Sequence, residues 1–110
     1  MRPFPRGTLP VGDAALVVEG STLRLSGPIT MNTVRGLTAQ GLEMLARLPA
    51  VSTLELSRVT RVDSVGVAML VEFWRLRESA GGRLTFVSMP AELQPLLQLY
   101  GLQGLFATRN

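Results

Sequence analysis

The sequence predicts a single α/β domain in the order β-β-α-β-α-β-α, with a mixed β-sheet of about four strands and helices packed mainly on one face. Two observations carry this reading. Apolar residues alternate with polar ones over the short runs 14–19, 22–26, 52–57 and 83–88, and they recur at three- and four-residue steps over the longer runs 30–48, 64–80 and 90–100. Glycine or proline stands at most junctions between the two kinds of run. A chain of 110 residues has room for one such domain.

Residues 1–12 hold Pro3, Pro5, Pro10, Gly7 and Gly12, a composition that opposes regular structure, and we expect an extended or disordered arm followed by the domain over 13–110. Arg2 and Arg6 precede no apolar run, so the arm does not read as a secretory signal. The first two strands flank Gly20-Ser21, a pair suited to a two-residue II′ turn, with Leu23 and Leu25 on one face and Arg24 on the other. Gly27-Pro28 should end the second strand. Val34, Leu37, Gly41, Leu45 and Leu48 then form one buried helical stripe, capped by Thr30 or Asn32, with Gly41 allowing close packing on the sheet and an end near Leu48-Pro49.

The third strand turns Leu54 and Leu56 inward, and a helix follows from Ser64 to about Ala80, closed by a left-handed Gly81. Val67, Leu70, Val71 and Trp74 make its stripe, while Val65, Ala68, Met69, Phe73 and Leu76 widen the apolar band beyond a core-facing arc. A domain of this size has little chain left to cover a second face, so part of the band should await a partner. Leu84 and Phe86 share one face of the fourth strand, and a helix from Pro90 to Tyr100 is stopped by Gly101. Leu102, Leu105 and Phe106 fold back before a tail over 107–110.

Composition excludes most chemistry. Cys and His are absent, which removes disulfides, thiol chemistry, the commonest general base and the commonest transition-metal ligand. The eight carboxylates are scattered, and we expect no metal site and no cofactor. The net charge of +3 comes from arginine spread over every element, including Arg24, Arg35, Arg47, Arg58, Arg61, Arg75, Arg77 and Arg83, and with aromatics at only 5% this reads as a solvated basic surface, not a nucleic-acid site. No run of about 18 apolar residues exists to span a bilayer. A cytoplasmic protein is expected.

The chain is organised around residues 57–71. Leu54, Leu56, Val59 and Val62 are apolar before Asp63-Ser64, and Val67, Met69, Leu70, Val71, Phe73 and Trp74 are apolar after it, so the acid and the hydroxyl interrupt a buried run. Helix capping by Asp or Ser accounts for such a pair, with Gly66 permitting close approach of the helix to its neighbour. Catalysis does not: Ser64 has no evident base, and neither GxxxxGK[ST] nor GxGxxG occurs. What remains is a site that another protein reads or modifies.

Asp63-Ser64-Val65-Gly66, preceded by Leu54-Glu55-Leu56-Ser57 and followed by Val67-Ala68-Met69-Leu70, resembles the signature of the STAS domain, the fold of anti-sigma-factor antagonists and of small transporter subunits. The Gly81-Gly82 turn, the strand at 83–87 and the closing helix with Gly101-Leu102 and Leu105-Phe106 follow the same order, so the resemblance covers roughly residues 13–107. In the antagonists the residue after the motif Asp is phosphorylated by a partner kinase. The resemblance thus makes Ser64 a candidate phosphoacceptor and a serine-kinase anti-sigma factor an alternative partner, although Val65 stands where the antagonists have Ser or Thr.

Residues 56–63, the apolar helix 65–76 and Leu99-Tyr100-Gly101-Leu102 are more similar to the small STAS subunits of the Mla phospholipid-transport ABC complexes of Gram-negative bacteria, which serve outer-membrane lipid asymmetry. That resemblance implies a non-catalytic protein that contacts and supports a MlaF-like ATPase subunit. Arg61, Asp63, Ser64, Val65, Val67 and Ala68 are the partner-binding residues it points to. The permease would be met only indirectly, and the inner membrane only through the complex.

Overall fold

Gly20 turns the first hairpin. It holds φ 61, the positive value a II′ turn needs at its first central position, and Ser21 does not share it. Strand β1 (Ala15–Glu19) therefore pairs antiparallel with β2 (Thr22–Ile29), Glu19 opposite Thr22 and Leu16 opposite Leu25. This is a computed structural model, and it describes residues 11–102 and 107–109. The expected arm over 1–12 falls mostly outside the described residues, as do Leu105 and Phe106.

Helix α1 (Val34–Arg47) leads to β3 (Thr53–Val62), α2 (Ser64–Ser79) to β4 (Thr85–Val87), and α3 (Leu93–Leu99) to β5 (Ala107–Arg109). The sheet order β1-β2-β3-β4-β5 equals chain order, with β2 to β5 parallel. Every crossover steps the same way, and right-handed crossovers then place all three helices on one face. The four expected strands are present. A fifth, three-residue strand pairs with β4 where the sequence reading left a tail, a pairing too short to carry a strand pattern of its own.

One register line explains the core. Leu23, Leu54 and Phe86 lie side by side on β2, β3 and β4 and are fully buried beneath the helices. The neighbouring line, Val17, Arg24, Glu55 and Val87, faces the other way. There Arg24 lies 2.8 Å from Glu19 and 3.4 Å from Glu55. Burial works against the Glu55 charge, but the hydroxyl and N–H of Ser57, the Ser88 side chain and the Arg24 guanidinium together outweigh it and hold the carboxyl below its ordinary value of 4.5.

Strand β3 is longer than its alternation suggested, and its apolar residues explain why. Leu54, Leu56, Val59 and Val62 are spaced by two, three and three. Two irregularities in the β2–β3 ladder, between Arg24 and Ser26 and between Gly27 and Pro28, insert an extra β3 residue each, so that Val59 stands opposite Gly27 and Val62 opposite Ile29. Strand pairing therefore continues to the edge of the motif.

Several local expectations are corrected. Helix α1 begins at Val34, with Thr33 as the flanking residue, because the Thr33 hydroxyl donates to Pro28 O at 2.7 Å and accepts from Thr30 N at 3.1 Å instead of capping; Thr30 and Asn32 belong to the preceding turn. Gly41 packs on Phe73 of α2 and not on the sheet: an added Cβ would strike the ring. Val34 is half-buried and Leu48 exposed, so the α1 stripe is Leu37, Gly41 and Leu45. On α2 the core stripe is Gly66, Val67, Met69, Leu70, Phe73 and Arg77, while Val71 and Trp74 are half-buried. The α3 helix starts three residues after Pro90, and the fourth strand is confined to Thr85–Val87.

Arg77 is the largest departure from the solvated-surface reading. It is 5% exposed, and its Nη2 donates to the carbonyl oxygens of Leu45 and Leu48, both at 3.1 Å. These are carbonyls that the end of α1 leaves without intrahelical partners, and the guanidinium also suits the negative end of the helix dipole.

Candidate functional site

The motif sits where β3 hands over to α2 at the C-terminal edge of the sheet. Val62, the last strand residue, donates its N–H to Glu92 Oε1 at 2.8 Å, tying the start of α3 to the end of β3. Asp63 is extended, φ −113 and ψ −176, and its N–H donates to Ile29 O at 3.3 Å. Its carboxylate then divides. Oδ1 accepts from Gly66 N at 2.9 Å and caps α2, while Oδ2 accepts from Met31 N at 2.9 Å in the turn between β2 and α1. The cap is therefore Asp63, and Ser64 is the first residue of the helix.

Gly66 is required by the same packing. A Cβ there would run into the Ile29 carbonyl, which is backbone and cannot move aside. With Asp63 and Gly66 accounted for by architecture, the exposed residues of the motif are Ser64 and Val65. The Ser64 side chain makes no hydrogen bond among the described residues.

Along α2, Ser64, Val67, Ala68, Val71, Glu72 and Arg75 form one wall of a groove of about 430 Å³, and Tyr100 and Leu102, just past α3, form the other. The lining is mainly apolar, with Ser64, Glu72 and Arg75 as its polar groups. Of the residues singled out from sequence, the groove brings together Ser64, Val67 and Ala68. Ser64 and Ala68 are exposed, but Val67 is 2% exposed and offers a partner little surface. Val65, 42% exposed, lies outside the groove on the first turn of α2, and the exposed Arg61 lies outside it on β3. Asp63 is half-buried and already committed to two backbone donors.

The wide apolar band of α2 is thus split. Met69 is core and Leu76 half-buried, while Val65 and Ala68 face outward. Tyr100 and Leu102 were not picked out as site residues, and neither were Glu72 and Arg75. The available signal was Gly101, whose φ of 68 stops α3 and sets apolar residues on both sides of the stop next to α2.

Chemically the groove can bind and present, and among the described residues no base is hydrogen-bonded to the Ser64 hydroxyl. Among the described residues no group of three or more Asp or Glu side chains is placed to hold a metal ion, and no helix is long and apolar enough to cross a membrane.

Comparison with known proteins agrees with this architecture. The family model described as Mlab, STAS domain, matches residues 14–107. The intermembrane phospholipid transport system binding proteins MlaB of Escherichia coli K12 and of Shigella flexneri are each 30% identical over 83 residues, covering 76% of this chain and 82% of theirs. Among solved structures, the unphosphorylated anti-sigma factor antagonist SpoIIAA superposes with a TM-score of 0.64 at 20% identity, over 88% of this chain and 87% of that one, a likeness of fold.

Proposed function

Because the chain belongs to the MlaB-type STAS-domain family, we propose that it is a non-catalytic subunit of a phospholipid-transporting ABC complex that binds the MlaF-like ATPase subunit and supports its activity. The observation that carries this is the exposed face of α2: Ser64 and Ala68 open into a largely apolar groove beside the motif, with Val65 exposed next to it. A partner helix or loop laid there covers apolar surface that the domain leaves uncovered, and Glu72 and Arg75 on the groove wall give it a fixed polar register. The protein works in the cytoplasm at the inner membrane, reaching the permease and the lipid only through the ATPase, without a cofactor and without nucleic acid. Arg61, Asp63, Ser64, Val65, Val67 and Ala68 belong to this contact, with Asp63 and Val67 acting from below by shaping it.

The test is reconstitution. The chain should co-purify with the ABC ATPase subunit of its own organism and raise its ATP hydrolysis, and it should hydrolyse nothing alone. ATPase activity that is the same with and without the chain, together with no complex on size exclusion, contradicts the proposal.

A second reading keeps one specific observation in its favour. Ser64 is exposed at the first position of α2 with its hydroxyl unbonded among the described residues, a geometry open to a kinase. As an anti-sigma-factor antagonist the chain would be switched off by phosphate at Ser64, which adds about −1.5 to −2 charges beside Asp63. Phosphate transfer to wild type but not to Ser64→Ala by a serine-kinase anti-sigma factor of the same organism separates this reading from the first.

A further inference from the structure

Capping Gly66 needs only one oxygen of Asp63, and the second is spent on Met31. That bond spans 32 residues of sequence and fixes the turn between β2 and α1 against the start of α2. The turn is braced from its other side by Thr33, which is buried, donates to Pro28 O and accepts from Thr30 N. The residue so held is 72% exposed, and it is a methionine. Singly exposed apolar residues are ordinary and need no explanation. An exposed apolar residue whose backbone is pinned by the motif carboxylate is a different case, because its backbone is already ordered and only its side-chain rotamers remain to be fixed when a partner covers it. Its unbranched thioether adapts to the shape of a pocket, and methionine is enriched at interfaces. Val65, exposed on the first turn of α2, stands two residues from the same carboxylate. One acid thus holds the backbone at Met31 and at the first turn of α2, so that two exposed apolar residues, Met31 and Val65, are carried on segments that it ties together next to Ser64.

We propose that Met31 is a specificity-determining contact for the partner ATPase, entering an apolar pocket of that subunit together with Val65, and that Asp63 is its positioning residue. This rests on the reading that the ATPase closes on the start of α2.

The experiment measures affinity of the purified chain for the purified ATPase subunit, with thermal unfolding of each variant alongside. Met31→Ala should bind about tenfold more weakly at an unchanged melting temperature, since the side chain is exposed, and Met31→Leu should recover most of the loss. Asp63→Asn has one acceptor oxygen for two N–H groups and should also weaken binding. In a Met31→Ala background its effect should be smaller than in the wild-type chain, because only the part that acts through the α2 cap remains; this non-additivity is a readout that a purely structural Asp63 would not give. Unchanged affinity for Met31→Ala overturns the proposal, and full additivity overturns the positioning role. Dimerisation of the free chain that Met31→Ala abolishes would assign the surface to a second copy and overturn it as well. Ala68→Arg separates the two levels: if it abolishes binding while Met31→Ala does not, only the Met31 inference fails, and if the wild-type chain does not bind the ATPase at all, both fail.

Discussion

Asp63 and Met31 are joined by a 2.9 Å hydrogen bond from the Met31 N–H to Oδ2, while the other carboxylate oxygen caps α2 through Gly66. One side chain therefore couples two segments that are distant in sequence. Asp63→Ala should remove both bonds and destabilise the fold by about 1–2 kcal/mol, roughly 1 kcal/mol for the lost part-buried cap and about 0.5 kcal/mol for the solvent-exposed bond to Met31. Asp63→Asn should cost about half as much. Urea unfolding of the three proteins checks the ratio, and equal costs for Ala and Asn would show that the carboxylate charge, not its two acceptors, matters.

Gly41 and Phe73 make a second prediction whose sign is informative. Alanine is the better helix former by about 1 kcal/mol, so Gly41→Ala would stabilise an isolated α1. Here the new methyl meets the ring of Phe73, which is fully buried and cannot swing away, and overpacking should win by about 1–2 kcal/mol. In a Phe73→Leu background the same substitution should become neutral or stabilising. A double-mutant cycle by thermal unfolding reads the difference.

Arg77 should behave as part of the core. Arg77→Met keeps the stem but removes the side-chain donor from the Leu45 and Leu48 carbonyls, of which Leu48 keeps the Val51 N–H, at a cost of about 1–3 kcal/mol. Arg83→Met, on an exposed residue, should change stability by less than about 0.5 kcal/mol. Chemical denaturation of both variants tests whether the two arginines differ as burial demands.

Glu55 predicts a pH dependence. Its folded carboxyl lies below the ordinary value of 4.5, so the unfolded chain binds its proton more readily than the folded one. Its contribution to stability is complete above pH 4.5 and is lost as pH falls through the folded value. The stability difference between wild type and Glu55→Gln should therefore be largest near neutral pH and shrink on acidification below 4.5, measured by urea unfolding as a function of pH.

How much of this was legible in the sequence depended on range. The hairpin at Gly20-Ser21, the inward Leu23 and Leu25, the stop at Gly81 and the strand–helix order follow from local rules, and the structure carries each of them. The start of α1 was misplaced because the Thr33 hydroxyl is used by Pro28 O, a tertiary choice that no capping preference contains. Arg77 was read as surface because its partners, the Leu45 and Leu48 carbonyls, belong to another helix. The β3 bulges were written openly in the spacing of Leu54, Leu56, Val59 and Val62, yet strict alternation ends at Leu56 and hides them.

At the candidate site the motif itself was readable, and the division of labour within it was not. Asp63 and Ser64 look equivalent as caps in the sequence; the choice is made by Met31 and Gly66 together, which claim both oxygens of the acid and leave the hydroxyl outside. Tyr100 and Leu102 complete the groove because α3 packs against α2; Gly101 marks the stop between them in the sequence, but not the helix they will face.

We propose that the exposed face of α2 at Ser64 and Ala68 is the surface an ATPase subunit covers. The most direct measurement is the affinity of that subunit for Ala68→Arg, by isothermal titration, beside the unfolding curve of the same variant. Ala68 is exposed and helical, and Arg is a good helix former, so stability should stay within about 0.5 kcal/mol of wild type. The bulky charge at the groove should nonetheless weaken binding by more than about a hundredfold. A folded Ala68→Arg that binds the ATPase as tightly as wild type would place the ATPase contact elsewhere on the chain.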